Sequence, residues 1–240
     1  MDKLKEYINS QNYEISEKQL ASFKHYYEML IEKNKVMNLT AITKKDEVIL
    51  KHFIDSISMA FSIKSVAGIK EKNLNLIDIG TGAGFPGIPL KIMFPDLNVT
   101  LLDSLNKRVT FLNEVIAELG LKNITAIHSR AEEGARDKSL RDHFDIAVSR
   151  AVANLPVLLE YTLPFVKKDG CFISYKSGDI DEELESSKHA LKCLNGTIIE
   201  DTRITLPDSD IKRSFVVVKK TAPTPKAYPR KAGTARKEPL

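Results

Sequence analysis

The residues with the clearest chemical potential form the segment Leu76-Ile77-Asp78-Ile79-Gly80-Thr81-Gly82-Ala83-Gly84-Phe85-Pro86, where an apolar run with an acid near its end enters a glycine turn. Glycine lets a backbone turn sharply and approach a ligand. The amides of a following helix then face the crevice at the carboxyl ends of parallel strands, where ligands bind in doubly wound sheets. Asp103 ends the next apolar run, 23 residues after Gly80, where a carboxylate can accept hydrogen bonds from two ribose hydroxyls. Two cofactor classes compete for this pair. Gly82, Gly84 and Gly87 satisfy the dinucleotide fingerprint, with Asp103 21 residues after the first of them. There the glycines serve a pyrophosphate, beside which Asp78 would add negative charge and Phe85-Pro86 would crowd the approach. S-adenosylmethionine carries an ammonium group and no phosphate, so an acidic strand end favours it. The expectation is a methyl-donor site, with NAD the lesser alternative.

Two further strand ends complete the candidate site. Ser129-Arg130-Ala131-Glu132 follows the third apolar run, where a side chain and a backbone amide could hold an adenine. Ser149-Arg150-Ala151-Val152-Ala153 follows the fourth, beside the transferred methyl in such a fold. Enzymes that methylate exocyclic amines typically carry Asn or Asp followed by Pro-Pro-aromatic there, so amine methylation is disfavoured.

Bringing four such ends together requires a parallel sheet. From Leu74 onward short apolar runs alternate with helical periods, the pattern of strands covered on both faces. Strands are expected at 74–79, 99–102, 124–128, 144–148, 171–175, 197–204 and 214–219, with helices in the first five gaps. The fifth helix should run from about 181 to 194 and stop at Gly196. Only residues 205–212 separate the last two strands, a loop suited to an antiparallel return. Before the sheet, Leu20, Phe23, Tyr27, Leu30 and Ile31 recur at steps of three and four, the stripe of a packed helix. Past a break at 38–43, Asp46 can cap a second helix through Val48, Ile49, Phe53, Ile57 and Phe61. The expected fold is α/β, a doubly wound, mostly parallel seven-stranded sheet. Residues 1–73 form a helical extension, 74–220 the cofactor domain and 221–240 a basic, extended tail.

The chain has 240 residues, 42% apolar and 28% charged, a globular composition. No apolar run approaches the roughly 20 residues of a membrane helix. Its start, MDKLKEYINSQ, has no apolar leader segment, and Cys171 and Cys193 show no disulfide or metal-knuckle spacing. A cytoplasmic protein without a metal is expected, and nothing demands more than a monomer. Charge is uneven. Lys and Arg number 36 against 32 Asp and Glu, and the tail holds five of the former and one of the latter, leaving 31 of each sign before it. A neutral body with a basic tail points to a polyanionic partner, and loss of the tail is expected to weaken RNA binding while sparing the cofactor site.

With these residues assembled, the chain resembles the RsmG (GidB) family, bacterial 16S rRNA guanine-N7 methyltransferases. The likeness rests on Asn38-Leu39-Thr40, His52-Phe53-Ile54-Asp55-Ser56, Asp78 to Pro86, Asp103-Ser104-Leu105-Asn106-Lys107-Arg108, Ser129 to Glu132, Ser149 to Ala153, Lys176, and Tyr228-Pro229-Arg230-Lys231. The resemblance implies the Rossmann-like sheet of class I methyltransferases, S-adenosylmethionine as cofactor, and 16S rRNA or the small ribosomal subunit as partner, with a guanine of the decoding region as target. It implies that Asp78, Gly80, Gly82, Gly84, Phe85, Asp103, Ser104, Ala131, Glu132 and Arg150 bind the cofactor. Arg150 sits at the junction with substrate as the candidate catalytic residue, and Arg130, Lys176, Arg230 and Lys231 face RNA. Ala232 and Ala235 stand where the family commonly has proline. His52 and Asp55 read equally well as capping or packing residues, and the sequence leaves their role open. The rival classes are a methyltransferase acting on a small molecule or protein, and an RNA-binding protein without catalysis.

Overall fold

The strands are β1 (Asn75–Ile79), β2 (Asn98–Asp103), β3 (Ile124–His128), β4 (Phe144–Arg150), β5 (Val166–Ser177), β6 (Gly196–Thr205) and β7 (Lys212–Lys220). In the computed structural model, which describes residues 1–70 and 73–240, they form one sheet in the order β3-β2-β1-β4-β5-β7-β6. Residues 71 and 72, at the end of the expected extension, lie outside the described residues. The first five strands are mutually parallel, and β7 runs antiparallel to both β5 and β6. The reversed strand therefore does not close the edge; it inserts between β5 and β6.

Helices cover both faces: α5 (Gly87–Met93), α6 (Asn106–Glu118), the short α7 (Ala131–Gly134), α8 (Leu155–Thr162), α9 (Asp181–Ser186) and α10 (Lys188–Leu194). The single helix expected over 181–194 is thus two, and its left-handed stop is Asn195, at φ 58°. Asparagine tolerates that conformation because its short polar side chain bonds locally. Gly196 instead opens β6, where an added Cβ would lie 2.9 Å from Leu163 Cδ1.

In the extension, α1 (Asp2–Ser10) precedes α2 (Glu17–Met37), which begins with a capping box between Ser16 and Gln19. Its buried line is Leu20, Phe23, Tyr26 and Leu30. Tyr26 rather than Tyr27 faces the core, because the spacing from Phe23 to Leu30 accommodates either and only packing chooses. α3 (Lys45–Val48) continues through a π-helical stretch, Ile49–Ile54, into α4 (Asp55–Ser62). Lys44 holds the cap position and Asp46 lies inside the first turn. One hydrophobic cluster runs from Leu4 and Phe23 in these helices to Val217 in β7, so the extension shares a core with the sheet.

The tail is folded rather than extended. Arg141 donates to the carbonyls of Thr224 and Tyr228, and Arg136 to that of Pro229. Arg230 grips Glu160, which is 1% exposed, through Nε at 3.1 Å and Nη2 at 2.7 Å. A last turn, α11 (Thr234–Lys237), buries Ala235 beside Val157 and Tyr161. Partners lying 70 or more residues away thus hold the tail, and one of them, Glu160, neutralises the Arg230 charge that the tail alone would leave solvated.

Candidate active site

β1 lies between β2 and β4, so the chain departs from it toward opposite edges and a crevice opens at the carboxyl ends of β1 and β4. Ser149 Oγ donates to the Ile79 carbonyl at 2.8 Å and ties the two ends together. Gly80 turns at φ 71°, and a Cβ there would lie 2.6 Å from Val152 Cγ2. Val152 thus presses on the glycine turn, and it lines two cavities, of about 320 Å³ and about 570 Å³.

The smaller cavity gathers Gly80, Ser104, Ala131 and Glu132, four of the residues expected to bind a cofactor, and also Arg130, expected to face RNA. Tyr161, Gly233 and Arg236, which sequence reasoning did not single out, complete its wall. Asp103 stands just behind, 2% exposed. Its Oδ2 accepts from the Gly82 N–H and its Oδ1 from the Leu105 N–H, both at 2.9 Å. Arg108 Nη1 also lies 3.4 Å from Oδ2, so the carboxylate braces the glycine turn beside a cation and Oδ1 keeps a lone pair for a ligand hydroxyl.

Asp78 is fully buried beneath the turn. Its Oδ2 accepts from Thr81 Oγ1 at 2.6 Å and from the Gly87 N–H at 2.8 Å. Its Oδ1 has no hydrogen-bond partner. Burial pushes its pKa up to about 6, against the pull of those two bonds and of Arg150. This geometry decides against a dinucleotide. A pyrophosphate needs the second fingerprint glycine open and the helix amides free. Here a Cβ on Gly84 would meet Ile88 Cδ1 at 2.5 Å and Tyr26 Oη at 2.8 Å, and Asp78 occupies the first amide of α5.

The larger cavity lies between β4, β5 and the extension, with Lys51, His52, Asp55, Arg150, Tyr175, Lys176 and Arg213 on its walls. Arg150 Nη1 donates to the Lys51 carbonyl at 3.1 Å and to Asp55 Oδ2 at 3.0 Å. Arg213 Nε donates to Asp55 Oδ1 at 2.9 Å, so the buried carboxylate is held between two guanidiniums. Phe85 stacks on the His52 ring at 4.5 Å, and the Arg150 guanidinium lies 5.1 Å from the Phe85 centroid. Both nitrogens of His52 are engaged, Nε2 with Thr40 Oγ1 at 2.9 Å and Nδ1 near the Lys51 carbonyl and Arg150. Burial, then Arg150, lowers its pKa to about 4. The Lys176 ammonium bonds Glu183 at 2.6 Å and the Ala153 carbonyl at 2.8 Å, which steers the chain after Arg150. Arg230 is committed to Glu160, whereas Lys231 is exposed.

The sequence held faint signals for part of what it missed. His52 and Asp55 share a segment with Phe53, but the π-helical stretch that turns them toward Arg150 follows from no residue pattern. Arg213 is 158 residues from Asp55, and nothing local announces it.

Residues 19–207 match the family model described as rRNA small subunit methyltransferase G, GidB. The chain belongs to this family. The methyltransferase G protein of Acetivibrio thermocellus is 56% identical over 94% of the chain and 90% of its own length. That of Lachnoclostridium phytofermentans is 54% identical over 97% and 94%. Among solved structures, two share the fold at low identity: M. jannaschii TYW2 in complex with AdoMet at TM-score 0.52 and 20% identity, covering 69% of the chain and 76% of that protein, and the Methanococcus jannaschii fibrillarin pre-rRNA processing protein at 0.51 and 18%, covering 64% and 69%. The chain thus has the seven-stranded sheet of class I methyltransferases, and no helix among its described residues is long and apolar enough to cross a membrane.

Proposed function

We propose that this chain transfers a methyl group from S-adenosylmethionine to N7 of a guanine in 16S rRNA. The unpartnered Oδ1 of Asp78 suits a cationic amino group, and the Asp103 carboxylate suits a ribose. Gly80, Ala131 and Glu132 line the cavity that would take the nucleoside. When bound, the cofactor supplies an electrophilic methyl group on sulfur.

The observation that carries the acceptor assignment is the cavity across Val152, which presents cations and a stacked, neutral imidazole but no unengaged base. Guanine N7 has a free lone pair and carries no proton, so its methylation needs none. Catalysis then comes from alignment: Arg150, fixed by Asp55 and the Lys51 carbonyl, orders the pocket and the RNA beside it. The excess of Lys51, Arg150, Lys176 and Arg213 over Asp55 and Glu183 on this wall suits a polyanionic acceptor better than a neutral small molecule or a protein side chain.

Transfer of labelled methyl to 16S RNA or small subunits, followed by mass mapping, should place the product at guanine N7; a methyl on an exocyclic amine or a ribose would overturn the assignment. Single-turnover rates at saturating RNA and cofactor should stay nearly flat between about pH 7 and 9. A tenfold step removed by mutating one His, Asp or Glu without loss of binding would point to an acceptor that must lose a proton.

A further inference from the structure

The tail carries all of the formal net charge, yet its last turns are built into the cofactor cavity rather than held apart from it. Gly233 and Arg236 line it together with Gly80 and Tyr161. The Gly233 N–H donates to Glu132 Oε1 at 2.9 Å, so the acid expected beside the adenine also holds the tail. Arg236 Nη2 reaches the Val152 carbonyl at 3.4 Å, which links the tail to the residue between the two cavities. Three anchors set this course: Arg230 on buried Glu160, Pro229 under Arg136, and Ala235 against Val157 and Tyr161. Lys231 and Lys237 are exposed.

We propose that Gly233 and Arg236 form a cofactor-binding wall and that polyanionic RNA, held by the exposed Lys231 and Lys237 of the same segment, seats it, so that cofactor and RNA bind with positive coupling. The inference rests on S-adenosylmethionine occupying the smaller cavity. The wall is shared: Gly233 and Arg236 face the cavity while Lys231 and Lys237 face outward, so a phosphate backbone on the outer side opposes lifting of the inner side. Coupling of this kind is reciprocal, and the cofactor must tighten RNA by the same factor. Tail and cofactor site are then not separable, contrary to the expectation from charge distribution alone.

The test is calorimetry and a labelled-cofactor chase on the full chain, with and without a 16S RNA fragment containing the methylated guanine. Arg236→Ala should weaken S-adenosylmethionine binding about three- to tenfold and speed its release. The double variant Lys231→Ala, Lys237→Ala should keep the affinity measured without RNA and lose the tightening that RNA confers on the wild type, expected at about fivefold or more. Circular dichroism and unfolding midpoints identify variants that fold. Unchanged cofactor affinity and release in a folded Arg236→Ala protein would overturn the wall; RNA tightening that survives the lysine double variant would overturn the coupling. Wild-type protein that binds no S-adenosylmethionine would defeat the cofactor assignment instead.

Discussion

Asp78 is buried with one oxygen bonded twice and the other unpartnered, and its pKa stands near 6 against an ordinary 3.8. A carboxyl raised in this way stabilises the fold below about pH 4, and that contribution is lost as pH rises through about 6. At neutral pH the unliganded protein therefore bears the cost of an ionised, incompletely partnered acid. Asp78→Asn keeps an acceptor for Thr81 and Gly87 and removes the charge. Urea unfolding at pH 8 should show the variant more stable by up to about 3 kcal/mol, two pKa units at 1.36 kcal/mol each. Calorimetry should show the opposite for the ligand: S-adenosylmethionine, whose ammonium favours the ionised acid, binds the variant more weakly. In the wild type its affinity should decline as pH falls below about 6. An affinity independent of both the substitution and pH would remove Asp78 from the ammonium site. The sequence showed an acid at a strand end before glycines, but which of its oxygens would be occupied depends on where Thr81 and Gly87 come to rest.

α2 was legible from its spacing, and its role in the site was not. Tyr26, fully buried, donates to the Ala83 carbonyl at 2.6 Å and packs on Phe53 and Phe85, so a helix of the extension grips the glycine turn from behind. Tyr26→Phe leaves that carbonyl without its donor and should cost about 1 to 3 kcal/mol of stability, with weaker cofactor binding as the turn loosens. Tyr27→Phe is the matched control: its hydroxyl lies 3.3 Å from the Thr43 carbonyl in an exposed position, and its loss should cost less than about 0.5 kcal/mol. Equal unfolding midpoints for the two variants would show that α2 only packs. The π-helical stretch of the next helix is a second instance, because it sets His52 over Phe85 and Asp55 against Arg150 without any signature in residue type.

Across the whole molecule the sequence showed a neutral body and a basic tail, and folding divides the tail's cations into two kinds. Arg230 is spent on Glu160, whereas Lys231 is exposed. In a salt titration of RNA binding, Lys231→Ala should reduce the slope of log affinity against log salt by about 0.7 to 0.9. Arg230→Ala should instead destabilise the fold by on the order of 2 kcal/mol, because it leaves Glu160 buried without its cation. The reverse pattern, a stability loss at Lys231 and only a slope change at Arg230, would contradict this division.

The amino-acid sequence by itself determined the alternating elements, the glycine turn, the acids at strand ends and the charge asymmetry, since each is set by neighbours a few residues apart through backbone freedom and apolar periodicity. It left to the tertiary structure the insertion of β7 between β5 and β6, the pairing of Asp55 with both Arg150 and Arg213, and the return of the tail to Glu132 and Glu160. Those depend on strand order and on buried charges finding partners across the fold. No local pattern encodes them, because the energy that selects them exists only once the sheet has assembled and excluded water.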